Sequence, residues 1–302
     1  MTPEDITAFN LRDENKELPA FLERRAAYLA EYAHIVTEEI GDSDEVSGLL
    51  ADAGERFRMF LEKASPDMSS VLPVHEQELS AELLNLSGCD AAVFAMRLSA
   101  EYRRMRRGLF LRPPERFPQN TRVAVVDNRF SDMAFDKLVK YAADARIYHA
   151  DNFRIAAEST AIGDTTGALL PIEGPTGEWI MPTIALIEEY DLLISAVFSV
   201  GSKEETMRYA LLTRRRFFIS EGALYLSCRV IPSTHMPVPA VLNAAAIMGM
   251  AVHSIDSDRR AAREKRAFLL TLQTNDCSAE AFLTYCALFT ASFTFIGFYP
   301  VL

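Results

Sequence analysis

Gly167-Ala-Leu-Leu-Pro-Ile-Glu-Gly-Pro-Thr-Gly177, followed closely by Thr183-Ile-Ala-Leu-Ile-Glu-Glu-Tyr-Asp-Leu-Leu-Ile194, decides how this chain is read. The apolar run Gly167 to Pro171 suits a buried strand, and the Gly, Pro and Thr residues after it cannot extend one. A helix over Pro182 to Glu189 and a strand over Leu192 to Val200 complete the unit. Working upstream, Val123-Ala-Val-Val126 is another short apolar run, and Ser131 stands where it would cap a helix running through Lys140. A strand at Ala145 to His149 and a helix at Phe153 to Ser159 follow. Strand and helix alternate, which is the grammar of an α/β lobe.

Downstream the order changes. Ala223 to Ile231 reads as a strand, Pro239 to Met248 as a helix, and Ala251 to Ile255 and Ala267 to Gln273 as strands. Ser278 to Phe289 is a second helix and Phe293 to Phe298 a last strand. This βαββαβ order predicts a ferredoxin-like sheet with both helices on one face. Before the lobe, Leu18, Phe21, Leu22, Tyr28, Leu29 and Tyr32 recur at helical steps. Further helices are expected over Ser43 to Ala64 and Glu76 to Arg107, with Pro66 and Pro73 between them. Helices of this kind complete their packing against a second copy, so a homodimer is expected. The three prolines of Leu111-Arg-Pro-Pro-Glu-Arg-Phe-Pro118 mark a linker. The expected domains are thus 1–110, helical; 119–216, a single α/β lobe; and 217–302, ferredoxin-like.

Composition narrows the function classes. Hydrophobic residues make up 49% of the 302 and charged residues 24%, an ordinary globular balance that a chain of this length divides among two or three cores. A net charge of -11 argues against general nucleic-acid or anionic-membrane binding, which needs a dominant basic surface. The start Met1-Thr-Pro-Glu-Asp5 lacks the basic and apolar features of a signal peptide, and no apolar run spans a bilayer, so the cytoplasm is the expected location. Cys89, Cys228, Cys277 and Cys286 form no CxxC pair and are read as reduced. The five histidines, His34, His75, His149, His235 and His253, lack metal-ligand spacing, and neither GxGxxG nor GxxxxGK[ST] occurs, so neither metal nor cofactor is expected.

The motifs in their order resemble the proteins of phenylalanine biosynthesis that join chorismate mutase, prephenate dehydratase and an ACT domain. Pro171-Ile-Glu-Gly-Pro-Thr176 is similar to the dehydratase stretch in which Pro-Ile-Glu-Asn ends a strand. Val123 to Ser131 resembles that enzyme's first strand and Gly-Thr-Phe-Ser turn, and Glu205-Thr-Met-Arg-Tyr-Ala-Leu-Leu212 its Asn-x-Thr-Arg-Phe-x-Val-Leu strand. Ser254-Ile-Asp-Ser257 and Phe295-Ile-Gly-Phe-Tyr-Pro300 resemble the Ile-Glu-Ser-Arg and Leu-Gly-Ser-Tyr-Pro motifs of the ACT domain. The resemblance implies a helical mutase-like front, a periplasmic-binding-like lobe and a ferredoxin-like ACT domain, with chorismate, prephenate or a phenylalanine-like molecule as ligand.

It also implies site residues. Mutase chemistry clamps two carboxylates and a developing ether-oxygen charge, for which Arg12, Arg25 and Arg56 are the matching cations and Glu55 a hydroxyl partner. Arginines on amphipathic helices are more often solvated surface charges. For the dehydratase, Ser131, Glu173 and Thr176 would bind substrate and Thr206 would donate a proton to the leaving hydroxyl. The effector positions would be Met236, Val238, Asp256 and Ser257. The chain departs from the pattern at three points. Asp127-Asn128-Arg129 replaces the first glycine turn, Gly174 replaces the Asn, and Thr206 stands one residue early, on the opposite face of a strand. Moreover, the strand ending at Val200 leads almost at once into Glu205, leaving no room for a second lobe. A cleft with one wall neither encloses substrate nor excludes water. The expectation is an enzyme of this branch with dehydratase activity weak or lost, or else a non-catalytic relative that binds a small molecule through its ACT-like part.

Overall fold

The structure is a computed structural model that describes residues 91–100, 103, 110–202, 205–232, 237–258 and 267–302. The described residues build one nine-stranded mixed sheet in the order β2-β1-β3-β5-β4-β9-β6-β8-β7. Its first part alternates β1 (Arg122–Val125), α1 (Arg129–Leu138), β2 (Arg146–His149), α2 (Phe153–Ile162), β3 (Gly167–Glu173), α3 (Met181–Glu189), β4 (Leu193–Gly201) and β5 (Thr206–Thr213). β1 pairs in parallel with both β2 and β3, while β5 runs antiparallel to β3 and β4. α1 packs on one face through Ala134 and Leu138, and α2 and α3 pack on the other through Ala156, Ala157, Ile184 and Ile187. β3 is buried at every position, as a central strand covered on both faces must be.

The second part is β6 (Ala223–Ile231), α4 (Val238–Ile247), β7 (Ala251–Asp258), β8 (Ala267–Gln273), α5 (Asp276–Phe289) and β9 (Ser292–Val301). Its strand order, β9-β6-β8-β7 and antiparallel throughout, is that of a ferredoxin-like sheet. α4 and α5 cover one face, where Leu226, Leu270, Leu272 and Phe298 meet Ala244, Phe282 and Tyr285. The helical residues Ala91, Ala92, Phe94, Ala95 and Leu98 are fully buried in this same core. Residues 91–100 therefore cover the ferredoxin-like unit, although they were expected within a separate helical domain. The clamp is Glu280 of α5, whose two carboxylate oxygens accept the backbone N–H groups of Phe110 and Leu111 at 2.9 Å each.

Segments 119–216 and 217–302, expected as separate domains, share the sheet through parallel pairing of β4 with β9. Gly297 permits it: a Cβ there would lie 2.7 Å from the Ile194 carbonyl oxygen and 2.9 Å from its nitrogen. Beyond that point Leu302 N–H donates to the Val197 carbonyl at 2.8 Å and Ser199 N–H to the Leu302 carbonyl at 3.0 Å. β4 reaches β5 directly, with Gly201 opposite Thr206 in the ladder. Gly201 has φ +113 and a Cβ would lie 2.0 Å from the Glu205 carbonyl oxygen, so only glycine fits this reversal. Residues 202–205 are too few to hold a second lobe. No helix among the described residues is long and apolar enough to cross a membrane.

Candidate functional site

The chain leaves β1 toward α1 on one face and β3 toward α3 on the other, a switch of direction at the carboxyl ends of neighbouring strands that is the usual ligand position in α/β sheets. Asn128 and Ser131 line the β1 side. The expected cap was Ser131, but Asn128 holds the position: its side-chain oxygen accepts the N–H groups of Phe130 and Ser131 at 3.0 and 2.9 Å. Ser131 answers as the other half of a capping box, accepting Asn128 N–H at 3.1 Å. The Ser131 hydroxyl is fully buried and engaged with the Val126 and Asn128 carbonyls at 2.9 and 2.7 Å. Tyr209 of β5 donates its hydroxyl to the same Asn128 oxygen at 3.0 Å, tying the helix cap to the neighbouring strand. At the rim, His149 Nδ1 and Asp127 meet at 2.6 Å, both well exposed.

Glu173 closes the β3 side. Pro171 lacks the N–H of a ladder residue, and the pairing with β5 shifts register between Pro171 and Glu173, the kind of bulge where a central strand tolerates proline. The shift sets Glu173 opposite Arg208, whose Nη1 donates to the Glu173 carboxylate at 2.8 Å. Burial pushes the Glu173 carboxyl above its ordinary range; Arg208 pulls the other way, and the charges of Asp256 and Glu178 add to the rise. Burial likewise raises Tyr209, against the hydrogen bond to Asn128. After Glu173 the loop folds tightly on itself, with Gly174 N–H on the Glu178 carbonyl at 2.9 Å and Ile180 N–H on the Ile172 carbonyl at 2.7 Å. Thr176 is exposed, and both its N–H and its hydroxyl bond the Glu178 side chain.

The sequence-derived residues are thus distributed unevenly. Thr206 is exposed on the β4–β5 turn with its hydroxyl on the Ser202 carbonyl at 2.8 Å. Val238 begins α4 half-buried, and Asp256 and exposed Ser257 lie on the edge strand β7. Arg12, Arg25, Glu55, Arg56 and Met236 lie outside the described residues. Of the described set, Glu173 and Asp256 come within electrostatic reach of each other. Sequence reasoning missed Asn128, Arg208 and Tyr209, although all three sit inside the motifs that carried the resemblance. Arg208 in particular follows directly from an arginine in an otherwise apolar strand, Met207 to Leu212. No group of three or more His, Cys, Asp or Glu suited to a metal occurs among the described residues.

No family model matches the sequence, and no curated protein matches it. Solved structures do match. A prephenate dehydratase from Streptococcus mutans aligns at 15% identity over 60% of this chain and 99% of its own, with TM-score 0.51. A prephenate dehydratase in complex with L-Phe from Arthrobacter aurescens aligns at 14% identity over 60% and 90%, with TM-score 0.48. GqqA, described as a novel type of quorum quenching acylase, aligns at 16% identity over 59% and 94%, with TM-score 0.46. At these identities the likeness to the first of them fixes the fold: a prephenate-dehydratase-like arrangement over about three-fifths of the chain.

Proposed function

We propose that this chain is a prephenate-dehydratase-like protein of aromatic amino acid metabolism that has lost dehydratase turnover and serves as a small-molecule-binding, regulatory relative. The observation that carries this reading is the direct β4–β5 turn, where the strand Leu193–Gly201 passes straight into Thr206–Thr213. Substrate held at Glu173 would face solvent, so developing charge would meet water instead of fixed dipoles. The engagement of Ser131, Thr176 and Thr206 with their own loops supports the same reading, since none offers an idle hydroxyl to a leaving group. The ferredoxin-like unit, in this reading, is the ACT-like ligand-binding part. A homodimer belongs to the proposal too: among the described residues β7 forms an edge of the sheet, and its exposed Val252 and Ile255 would be covered by a second copy.

The test is to incubate purified protein separately with prephenate and with chorismate and follow absorbance. Expected is no phenylpyruvate from prephenate. Sustained phenylpyruvate formation would overturn the proposal, and loss of chorismate would instead assign mutase activity to the chain.

A further inference from the structure

Between the lobe and the ferredoxin-like unit the chain passes through Arg214-Arg215-Arg216-Phe217-Phe218, and the proline-rich linker that enters the lobe runs alongside it. Glu115 forms a parallel bridge with Phe217, its N–H donating to the Arg216 carbonyl at 2.9 Å and its own carbonyl accepting Phe218 N–H at 2.7 Å. The Phe117 and Phe217 rings stack at 4.6 Å and hold the two segments together. Pro113 and Pro114 stiffen the linker just before the bridge. Arg216 is the anchor. Its side chain is 13% exposed, lies 4.7 Å over the Phe298 ring, approaches Asp276 at 3.5 Å and donates to the Arg112 carbonyl at 3.2 Å.

What faces outward is cationic. Residues 112–116 and 214–216 hold five arginines and one glutamate, a local charge of +4 in a chain whose net charge is -11. Arg112, Arg116, Arg214 and Arg215 are exposed. Of these Arg215 has a carboxylate beside it, Glu115 at 2.9 Å, whereas Arg112, Arg116 and Arg214 have none among the described residues. All the cations of the bridge are arginines, whose planar forks match phosphate oxygens in pairs. Beside them Phe218 is 59% exposed, the one exposed phenylalanine among the described residues. Neither core packing nor an ion-pair network accounts for that ring or for the three arginines without a carboxylate.

We propose that this bridge binds single-stranded nucleic acid, its phosphates on Arg112, Arg116 and Arg214 and a base stacked on Phe218. Cations beside an exposed ring are the two parts such a site needs, and an extended strand, unlike a compact ligand, can lie on an open surface. The net charge of the chain works against a broad nucleic-acid surface, so the contact is confined to this strip and weakens steeply with salt. The inference is independent of the small-molecule reading, because the strip follows the carboxyl end of β5, whereas Arg208 and its partner Glu173 stand near the beginning of that strand.

The test measures fluorescence anisotropy of a labelled oligouridylate of about 12 nucleotides with the full chain, between about 50 and about 200 mM salt, with polyglutamate as a competing polyanion. Expected is binding whose slope of log affinity against log salt falls by about 2 in the triple variant Arg112→Gln, Arg116→Gln, Arg214→Gln, as three lost phosphate contacts require. Phe218→Ala should lose at least about fivefold in affinity with the slope unchanged, the signature of a stacked base. Both variants alter exposed side chains, so their Tm should stay at the parent's value. A control, Arg122→Gln, Arg129→Gln, Arg146→Gln, removes the same charge from exposed positions elsewhere on the lobe and should keep the parent's slope. An equal fall in the control, an unchanged affinity in Phe218→Ala, or competition by polyglutamate as effective as by unlabelled oligouridylate would overturn the proposal. So would the absence of binding at about 100 μM protein in about 50 mM salt.

Discussion

At the carboxyl ends of β1 and β3 the serine and threonine hydroxyls turn back onto their own loops, while Tyr209 and Arg208 reach across to Asn128 and Glu173; on the face of β6 to β9 that packs against the lobe, hydroxyls bond one another across strands. Ser131 bonds Val126 and Asn128, Thr176 bonds Glu178, and Thr206 bonds Ser202, each within a few residues in sequence. Ser227, Thr271 and Tyr299 bond one another across 44 and 72 residues. Local bonds of the first kind shape turns. Long-range bonds of the second kind satisfy polar groups inside the core and pin the register of the strands that carry them. The first arrangement shapes loops, and the second fixes the ferredoxin-like sheet where it packs against the lobe.

The comparison presumes that both regions belong to one cooperative sheet, and Gly297→Val attacks that junction. Its side chain would press into the backbone of Ile194, at a cost of about 3 kcal/mol or more by the usual penalty of overpacking. A fall in Tm of roughly 10 °C in a single transition, followed by circular dichroism, is expected for a domain pair of this size. Two separated transitions would mean that the lobe and the ferredoxin-like unit fold independently, and that their shared face is incidental.

Asn128→Ala tests the first region by itself. The amide oxygen serves two helix N–H groups and the Tyr209 hydroxyl, so removing it should cost about 2 kcal/mol, the upper end for a cap. Tyr209→Phe should cost about 1 kcal/mol, because the cap itself survives. On the other side of the comparison, Tyr299→Phe leaves Ser227 its bond to Thr271, and about 1 kcal/mol is again expected from chemical denaturation. If Tyr299→Phe were neutral while Asn128→Ala were costly, the hydroxyl chain would add nothing to the core around it and the contrast would fail.

The same contrast decides what was legible in the sequence. Strands and helices from Val123 to Phe298 could be placed within a few residues, because fully buried runs such as Gly167 to Pro171 and turn residues such as Gly174 and Pro175 are local signals. The direct passage from β4 to β5 was legible for the same reason, since the spacing between Val200 and Glu205 is a fact of chain length. Three things were not. The capping role of Asn128 over Ser131 depends on which residue takes extended backbone, φ -163 and ψ 161. The β4–β9 pairing joins residues about a hundred positions apart, and only glycine at 297 hints at it. The hydroxyl chain requires the register that sets Ser227 opposite Thr271 and Tyr225 opposite Tyr299, which a single sequence does not specify.

The smallest effect expected concerns the ion pair that links β3 to β5 within the lobe. Glu173 is held above the usual carboxyl range, chiefly by burial, and the pull of Arg208 does not fully offset it. In the folded chain the proton is therefore retained to higher pH than in the unfolded chain, where the group titrates at about 4.3. Below that pH both states carry the proton and Glu173 contributes no pH-dependent term. As pH rises the unfolded state ionises first, so folding loses stability until the raised folded value is passed, after which the penalty stays constant. Glu173→Gln does not titrate. Its Tm should match that of the parent near pH 4, rise slightly above it with increasing pH, and then hold a fixed small gain. A loss of stability at neutral pH would mean that the bond to Arg208 outweighs burial. In that case the Glu173–Arg208 pair is a stabilising ion pair between β3 and β5, and the register shift that sets the two residues opposite each other serves the fold.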